Sequence, residues 1–208
     1  MTIQDKQVQE LLQELAGASA TPGGGGAAAV AGAMGAALVS MVCRLTIGKP
    51  RFAHAADELQ GVLAEAETLR HRLAELADAD AHAFDQVMAA YRLPKGSPQE
   101  QAQRHSAIQA ALREATQVPL ETAEACASVV QSAARIIPKI NPSTLSDAGT
   151  AVLLAEAGLR AAQINVATNL AAIQDPAFAQ AKQQTLSTLL PGIDQAKERV
   201  VTYVMQHI

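Results

Sequence analysis

Thr21-Pro22-Gly23-Gly24-Gly25-Gly26-Ala27-Ala28-Ala29-Val30-Ala31-Gly32-Ala33-Met34-Gly35-Ala36 is the stretch on which the reading of this chain turns. Four successive glycines are entropically costly to order, so they form either a flexible hinge between helices or a backbone placed deliberately close to something. If they open a helix, the N–H groups of Gly23, Gly24, Gly25 and Gly26 and the positive end of the helix dipole make a cradle for an anionic or strongly accepting ligand. The residues that follow carry no charge as far as Cys43. That length raises a membrane span, which takes about 20 apolar residues. Gly and Ala supply little transfer energy, however, and no Trp or Tyr flanks the run as an interfacial anchor. A Walker loop is excluded, because Ala27-Ala28 stands where its Lys-Ser/Thr pair would be.

Outward from this stretch, the composition speaks for helices. Hydrophobic residues make up 49% of the 208 residues, aromatics 2%, and Trp is absent. A core of Ala, Leu, Val and Ile favours closely packed helices over a sheet. Gly32, Gly35 and Ala36 leave one helix face nearly bare, which lets a neighbouring backbone come close. The expected architecture is an all-α, single-domain antiparallel bundle of about six helices around a central apolar helix. A net charge of −4 with no basic patch speaks against a nucleic-acid surface. Cys43 and Cys126 lack metal-type spacing and no secretory leader precedes them, so a reduced, cytoplasmic protein is expected.

Periodicity and punctuation predict helices over residues 3–15, 27–47, 52–91, 98–137 with a kink at Pro119, 145–173, and 176–207 with an interruption at Pro191-Gly192. Ser97 reads as an N-cap with Pro98 in the first helical position. In the third helix Leu59, Val62, Ala66, Leu69, Leu73, Leu76, Ala77, Phe84, Val87 and Tyr91 fall on one stripe. Asp80 falls inside that stripe, while Asp78, His82 and Asp85 project to the opposite, solvated face. An unpaired buried carboxylate is expensive, so Asp80 either meets a cationic side chain from another helix or lines a functional cleft. In a cleft, low dielectric would tune its protonation for acid/base work.

The fifth helix is apolar on nearly every side, yet begins with Ser146-Asp147 and carries Asn165 and Asn169 one turn apart. Buried amides need partners, either on other helices or on a polar heterocycle. Glu156 and Arg160, four apart, read as a surface ion pair, and Ser40 as a packing or back-bonding serine. The five histidines form no zinc or di-iron signature, and Asp78 with His82 is at most a weak ion site. No metal is expected.

Residues 21–26 together with Gly32-Ala33-Met34-Gly35-Ala36-Ala37-Leu38-Val39-Ser40-Met41-Val42 and Leu45-Thr46-Ile47-Gly48-Lys49 resemble the signature of the formiminotransferase-cyclodeaminase C-terminal family. Asp78-Ala79-Asp80 with Ala83-Phe84, Arg92-Leu93-Pro94-Lys95, Val118-Pro119-Leu120, Ser146-Asp147, and Asn165-Val166 with Asn169 extend the likeness along the chain. The family commonly has Gly-Asn shortly before its Ser-Asp, whereas this chain has Lys139-Ile140-Asn141-Pro142. The resemblance implies a helical, dimer-forming domain acting on a one-carbon unit carried by tetrahydrofolate, with no cofactor beyond that substrate. It places the catalytic Asp on Asp80. It implies substrate contacts at the four glycines, at Lys49 for a tail carboxylate, and at Asp147, Asn165 and Asn169. Two chemistries fit. One is hydrolysis of 5,10-methenyltetrahydrofolate, the stand-alone cyclohydrolase reaction. The other is cyclodeamination of formiminotetrahydrofolate with release of ammonia. With no formiminotransferase domain in the sequence, the first is the expectation. A cytoplasmic homodimer with no membrane or nucleic-acid partner completes it.

Overall fold

A computed structural model describes residues 2–208, among which there is no strand. Six helices follow one another: α1 (Val8–Leu15), α2 (Gly24–Arg44), α3 (Ala56–Tyr91), α4 (Pro98–Ile136), α5 (Leu145–Leu170) and α6 (Pro176–His207). Short 3-10 turns at Ile3–Asp5, Pro50–Ala55, Ile137–Lys139 and Pro142–Thr144 join or precede them. The first expected helix is thus a 3-10 turn followed by α1, whose Val8 and Leu12 stand exposed rather than packed. The glycines are not a hinge. Gly24, Gly25 and Gly26 form the first turn of α2, with Gly23 as N-cap.

α2 packs against α3 and α5, α4 against α3 and α5, and α6 covers α4 and α5. Cross-helix pairs give the directions. Arg72 of α3 pairs with Glu121 of α4, and Arg135 with Glu65, so α3 and α4 run antiparallel. Arg160 pairs with Glu156 on its own helix at 3.0 Å and also reaches Asp194 of α6. The bare face of α2 does what its composition implies. A Cβ on Gly35 would lie 2.8 Å from the Ala151 carbonyl oxygen, and one on Gly158 of α5 would lie 2.7 Å from that of Ala28. The two backbones are in contact, and only glycine permits it. α2 has the length and apolarity of a membrane span, but its Ala28, Ala29, Ala36, Val39 and Val42 are buried against its neighbours.

α5 is central, with α2, α4 and α6 around it, and an outer strip including Leu153 and Ile164 is uncovered. α4 starts at a full capping box, Ser97 with Glu100, and runs on through Pro119. α6 runs on through Pro191, where an interruption was expected. That proline removes only the bond to the exposed Ser187 carbonyl, which water can satisfy, while Leu186, Ile193, Ala196 and Val200 bury the same helix on either side. Ser40 is buried, its hydroxyl makes no back-bond among the described residues, and after Arg70 it helps hold the Glu67 carboxyl below the usual carboxylate range.

Candidate active site

Where α2 begins, the chain ahead of it, the second half of α3, the middle of α4 and the end of α5 enclose a cavity of about 280 Å3. Ala20, Thr21, Gly23, Gly24 and Gly25 form one wall, Asp80, Ala83, Phe84 and Val87 another, and Ala115, Asn165 and Asn169 close it. Five of the expected substrate contacts and the expected catalytic acid therefore share one space. Gly26 lies buried behind them. Phe84, read as core from its stripe, is 37% exposed and walls the cavity instead, and Tyr91 is exposed under the Arg104 guanidinium.

The glycines serve closeness. A Cβ on Gly25 would stand 2.1 Å from Asp80 Oδ1 and 2.4 Å from its Cγ, so no other residue lets this carboxylate rest on the first turn of α2. The first N–H groups of any helix have no partner within it. That of Gly26 lies near enough to Asp80 to favour its ionised form, while those of Gly24 and Gly25 belong to the cavity wall. Among the described residues no Lys, Arg or His lines the cavity or pairs with Asp80, so none of them makes it a structural ion-pair residue. Burial pushes its carboxyl above the ordinary carboxylate range, and the Gly26 N–H pulls it part of the way back.

The two asparagines are fixed by carbonyls, which can only accept. Asn165 Nδ2 donates to the Ala161 oxygen of its own helix at 2.9 Å, and Asn169 Nδ2 to the Ala115 oxygen of α4 at 2.8 Å. Each Oδ1 is left without a protein donor among the described residues. Asp80, Asn165 and Asn169 together present acceptors, an arrangement suited to a cation or a ligand rich in N–H groups. A wider groove of about 1060 Å3 between α3 and α4 adjoins the cavity at Ala83 and is lined by His82, His105, Arg113 and Glu114 among others.

Lys49 and Asp147 are not brought to this place. Lys49 follows the far end of α2, about 30 Å from Gly24 by the helical rise, and Asp147 sits in the first turn of α5, about 27 Å before Asn165. Asp78, expected on a solvated face, is half-buried. It accepts from the Ile3 N–H and from Gln4 Nε2, fastening the first 3-10 turn to α3. No three His, Cys, Asp or Glu side chains gather into a metal site among the described residues. Sequence reasoning missed Ala115, whose side chain has no chemistry; the proline four residues later is its only mark.

Residues 7–188 match the family described as formiminotransferase-cyclodeaminase. The chain is 44% identical to the methenyltetrahydrofolate cyclohydrolase of Methylorubrum extorquens, over 98% of both proteins. It is 35% identical to the formimidoyltransferase-cyclodeaminase of Rattus norvegicus over 89% of its own length, spanning 34% of that longer protein. The crystal structure of formiminotetrahydrofolate cyclodeaminase from Thermotoga maritima shares the fold at a TM-score of 0.88, with 27% identity over 98% of each chain. By family match, identity and fold alike, this chain belongs to the formiminotransferase-cyclodeaminase family.

Proposed function

We propose that this chain is a methenyltetrahydrofolate cyclohydrolase, converting 5,10-methenyltetrahydrofolate and water to 10-formyltetrahydrofolate and a proton. The observation that carries the reading is Asp80: a half-buried carboxylate in a cavity whose described residues supply it no cation. The methenyl substrate is a cyclic amidinium, so it brings the missing positive charge. Ionised Asp80 attracts that charge and accepts a proton from the water attacking the one-carbon centre, and a carboxyl held above its usual range is a better base for the task. The Gly24 and Gly25 N–H groups face the oxygen that becomes the formyl carbonyl, as helix N-termini do elsewhere. Asn165 and Asn169 accept from the pterin N–H groups. A drug-sized ligand needs roughly 300–1,000 Å3, so the cavity takes the reacting end and the rest of the folate passes over Ala83 into the adjoining groove. The full-length likeness to a cyclohydrolase supports this chemistry.

Cyclodeamination is the second reading, supported by the fold shared with the Thermotoga maritima enzyme. The same carboxylate would then pass a proton to departing ammonia. Two assays separate them. Loss of the methenyl absorbance on adding enzyme is expected, and ammonia release from formiminotetrahydrofolate without methenyl hydrolysis would overturn the first reading in favour of the second.

A homodimer belongs to the same proposal. Along α2 and its C-cap, Ala27, Ala31, Met34, Leu38, Met41 and Leu45 recur at alternating spacings of four and three, with Met34 and Leu45 exposed, and the neighbouring helix α5 exposes Leu153 and Ile164. Such a seam fits a second copy of this chain. Sedimentation at about twice the 21.6 kDa chain mass is expected, and a monomer at micromolar concentration would refute it. A cytoplasmic setting without nucleic-acid partners is supported by the net negative charge and by two free, buried thiols, which burial raises to about 11 at Cys43 and about 12 at Cys126.

A further inference from the structure

Pro119 lies buried in the middle of α4 and has no N–H, so the Ala115 carbonyl four residues before it loses its helical donor. The proline ring also crowds that carbonyl and tilts it off the helix axis. The carbonyls on either side, of Leu112 and Val118, take hydroxyls of their own helix, from Thr116 at 2.7 Å and Thr122 at 3.0 Å. Ala115 alone is satisfied from another helix: Asn169 Nδ2 of α5 donates to it at 2.8 Å. Because a carbonyl only accepts, this bond decides which end of the Asn169 amide faces it and so where Oδ1 is presented. Both Ala115 and Asn169 line the cavity.

We infer that Pro119 is a positioning residue for substrate binding: by orphaning the Ala115 carbonyl it locks the Asn169 amide with its oxygen turned to the ligand. Asn165 is held differently. Its Nδ2 bonds the Ala161 oxygen, which the Asn165 backbone N–H already serves through the ordinary ladder. The inference rests on the proposed folate reaction only for its kinetic readout.

Pro119→Ala returns a donor to the Ala115 carbonyl. The variant is expected to melt at or above the wild-type temperature, yet to raise KM for methenyltetrahydrofolate about three- to tenfold with kcat within twofold. On an Asn169→Ala background the same change should add nothing to KM. Unaltered KM in Pro119→Ala, or an equal increase in both backgrounds, would overturn the inference. The Asn169 side-chain amide, assigned in the nitrogen-15 spectrum by its loss in Asn169→Ala, should shift and lose exchange protection in Pro119→Ala. An unmoved resonance refutes the lock even if neither folate reaction is found. Asn169→Asp and Asn165→Asp supply a test that needs no change at Pro119. Both add a carboxylate beside Asp80, but only the first leaves a carbonyl with no donor, so Asn169→Asp should lower the melting temperature more. Equal losses would count against the inference.

Discussion

Both ends of the bundle carry polar side chains, but the structure uses them in opposite ways. At the far end, Thr46 donates to the Val42 carbonyl at 2.7 Å and accepts from the Asn141 N–H at 3.0 Å. Asn141 Nδ2 reaches the Leu45 carbonyl, the Thr144 hydroxyl bonds the Asn141 carbonyl, and Lys139 pairs with Glu58. The polar groups of this joint answer one another. At the end where α2 starts, Asp80 has no cation, and the oxygens of Asn165 and Asn169 have no protein donor among the described residues. What separates a site from a joint is thus the valence left over after the protein has satisfied itself.

The largest expected effect comes from taking away the open charge. Asp80→Asn keeps an oxygen near the Gly26 N–H but removes the base, and proton transfer of this kind contributes about a hundred- to ten-thousandfold. Turnover should fall by that much, and retention of most of the wild-type rate would strike Asp80 from the mechanism. In the wild type, kcat/KM should fall on acidification with an apparent pKa above the ordinary Asp value of about 3.9; in the variant that limb should vanish. Stability has the matching sign. A carboxyl whose folded pKa is raised makes its favourable contribution at low pH and loses it as pH rises through the raised value. The melting temperature of Asp80→Asn should therefore gain on that of the wild type as pH rises from the ordinary Asp value of about 3.9 through the raised one.

Gly25→Ala attacks the same end through its backbone. In an ordinary helix the change would gain roughly 0.5–1 kcal/mol, whereas forcing a methyl group into packed surroundings costs about 1–3 kcal/mol. The obstacle here is a carboxylate 2.1 Å from where the methyl carbon would sit. Asp80 swinging away relieves most of the clash. Folding should then change by about 1 kcal/mol or less, while activity falls at least tenfold because the base is displaced. A variant of near wild-type activity would show that the contact between glycine and carboxylate is dispensable.

Asp80 was legible because it broke a pattern: a charge among Leu73, Leu76, Ala77 and Val87 has few explanations. Asn165 and Asn169 were legible for the same reason. Phe84 was misread because an apolar stripe does not say whether its neighbour is a side chain or an empty cavity. The helical start of α2 was harder still, since glycine propensity alone favours a loop; the packing of Gly32 and Gly35 against α3, α4 and α5 overrides it. Lys49 and Asp147 rest on the family likeness, and helix length separates them from the cavity within one chain. A helix from Gly24 to Arg44 is about 30 Å long, which already puts whatever follows it at the opposite end. The Ala115 carbonyl is backbone, and only its spacing from Pro119 marks it.

The far end gives the smallest effects on catalysis and so tests the contrast most finely. Thr46→Val keeps the shape but removes a buried hydroxyl that serves two partners, leaving the Asn141 N–H without an acceptor. An unmet buried group of this kind costs about 1–3 kcal/mol. Denaturant unfolding should show that loss, while kcat and KM of the folded enzyme stay within twofold. Lys49→Ala and Asp147→Asn should do less again. Lys49 is exposed, and Asp147 is half-buried in the first turn of α5, where a carboxylate offsets the helix dipole by roughly 0.3–1 kcal/mol. Neither change should move KM, because neither side chain belongs to the cavity around Asp80. A severalfold rise in KM from either would mean that the folate tail reaches the far end of a bundle, and the division between satisfied and open ends would have to be redrawn with a partner subunit bringing the two together.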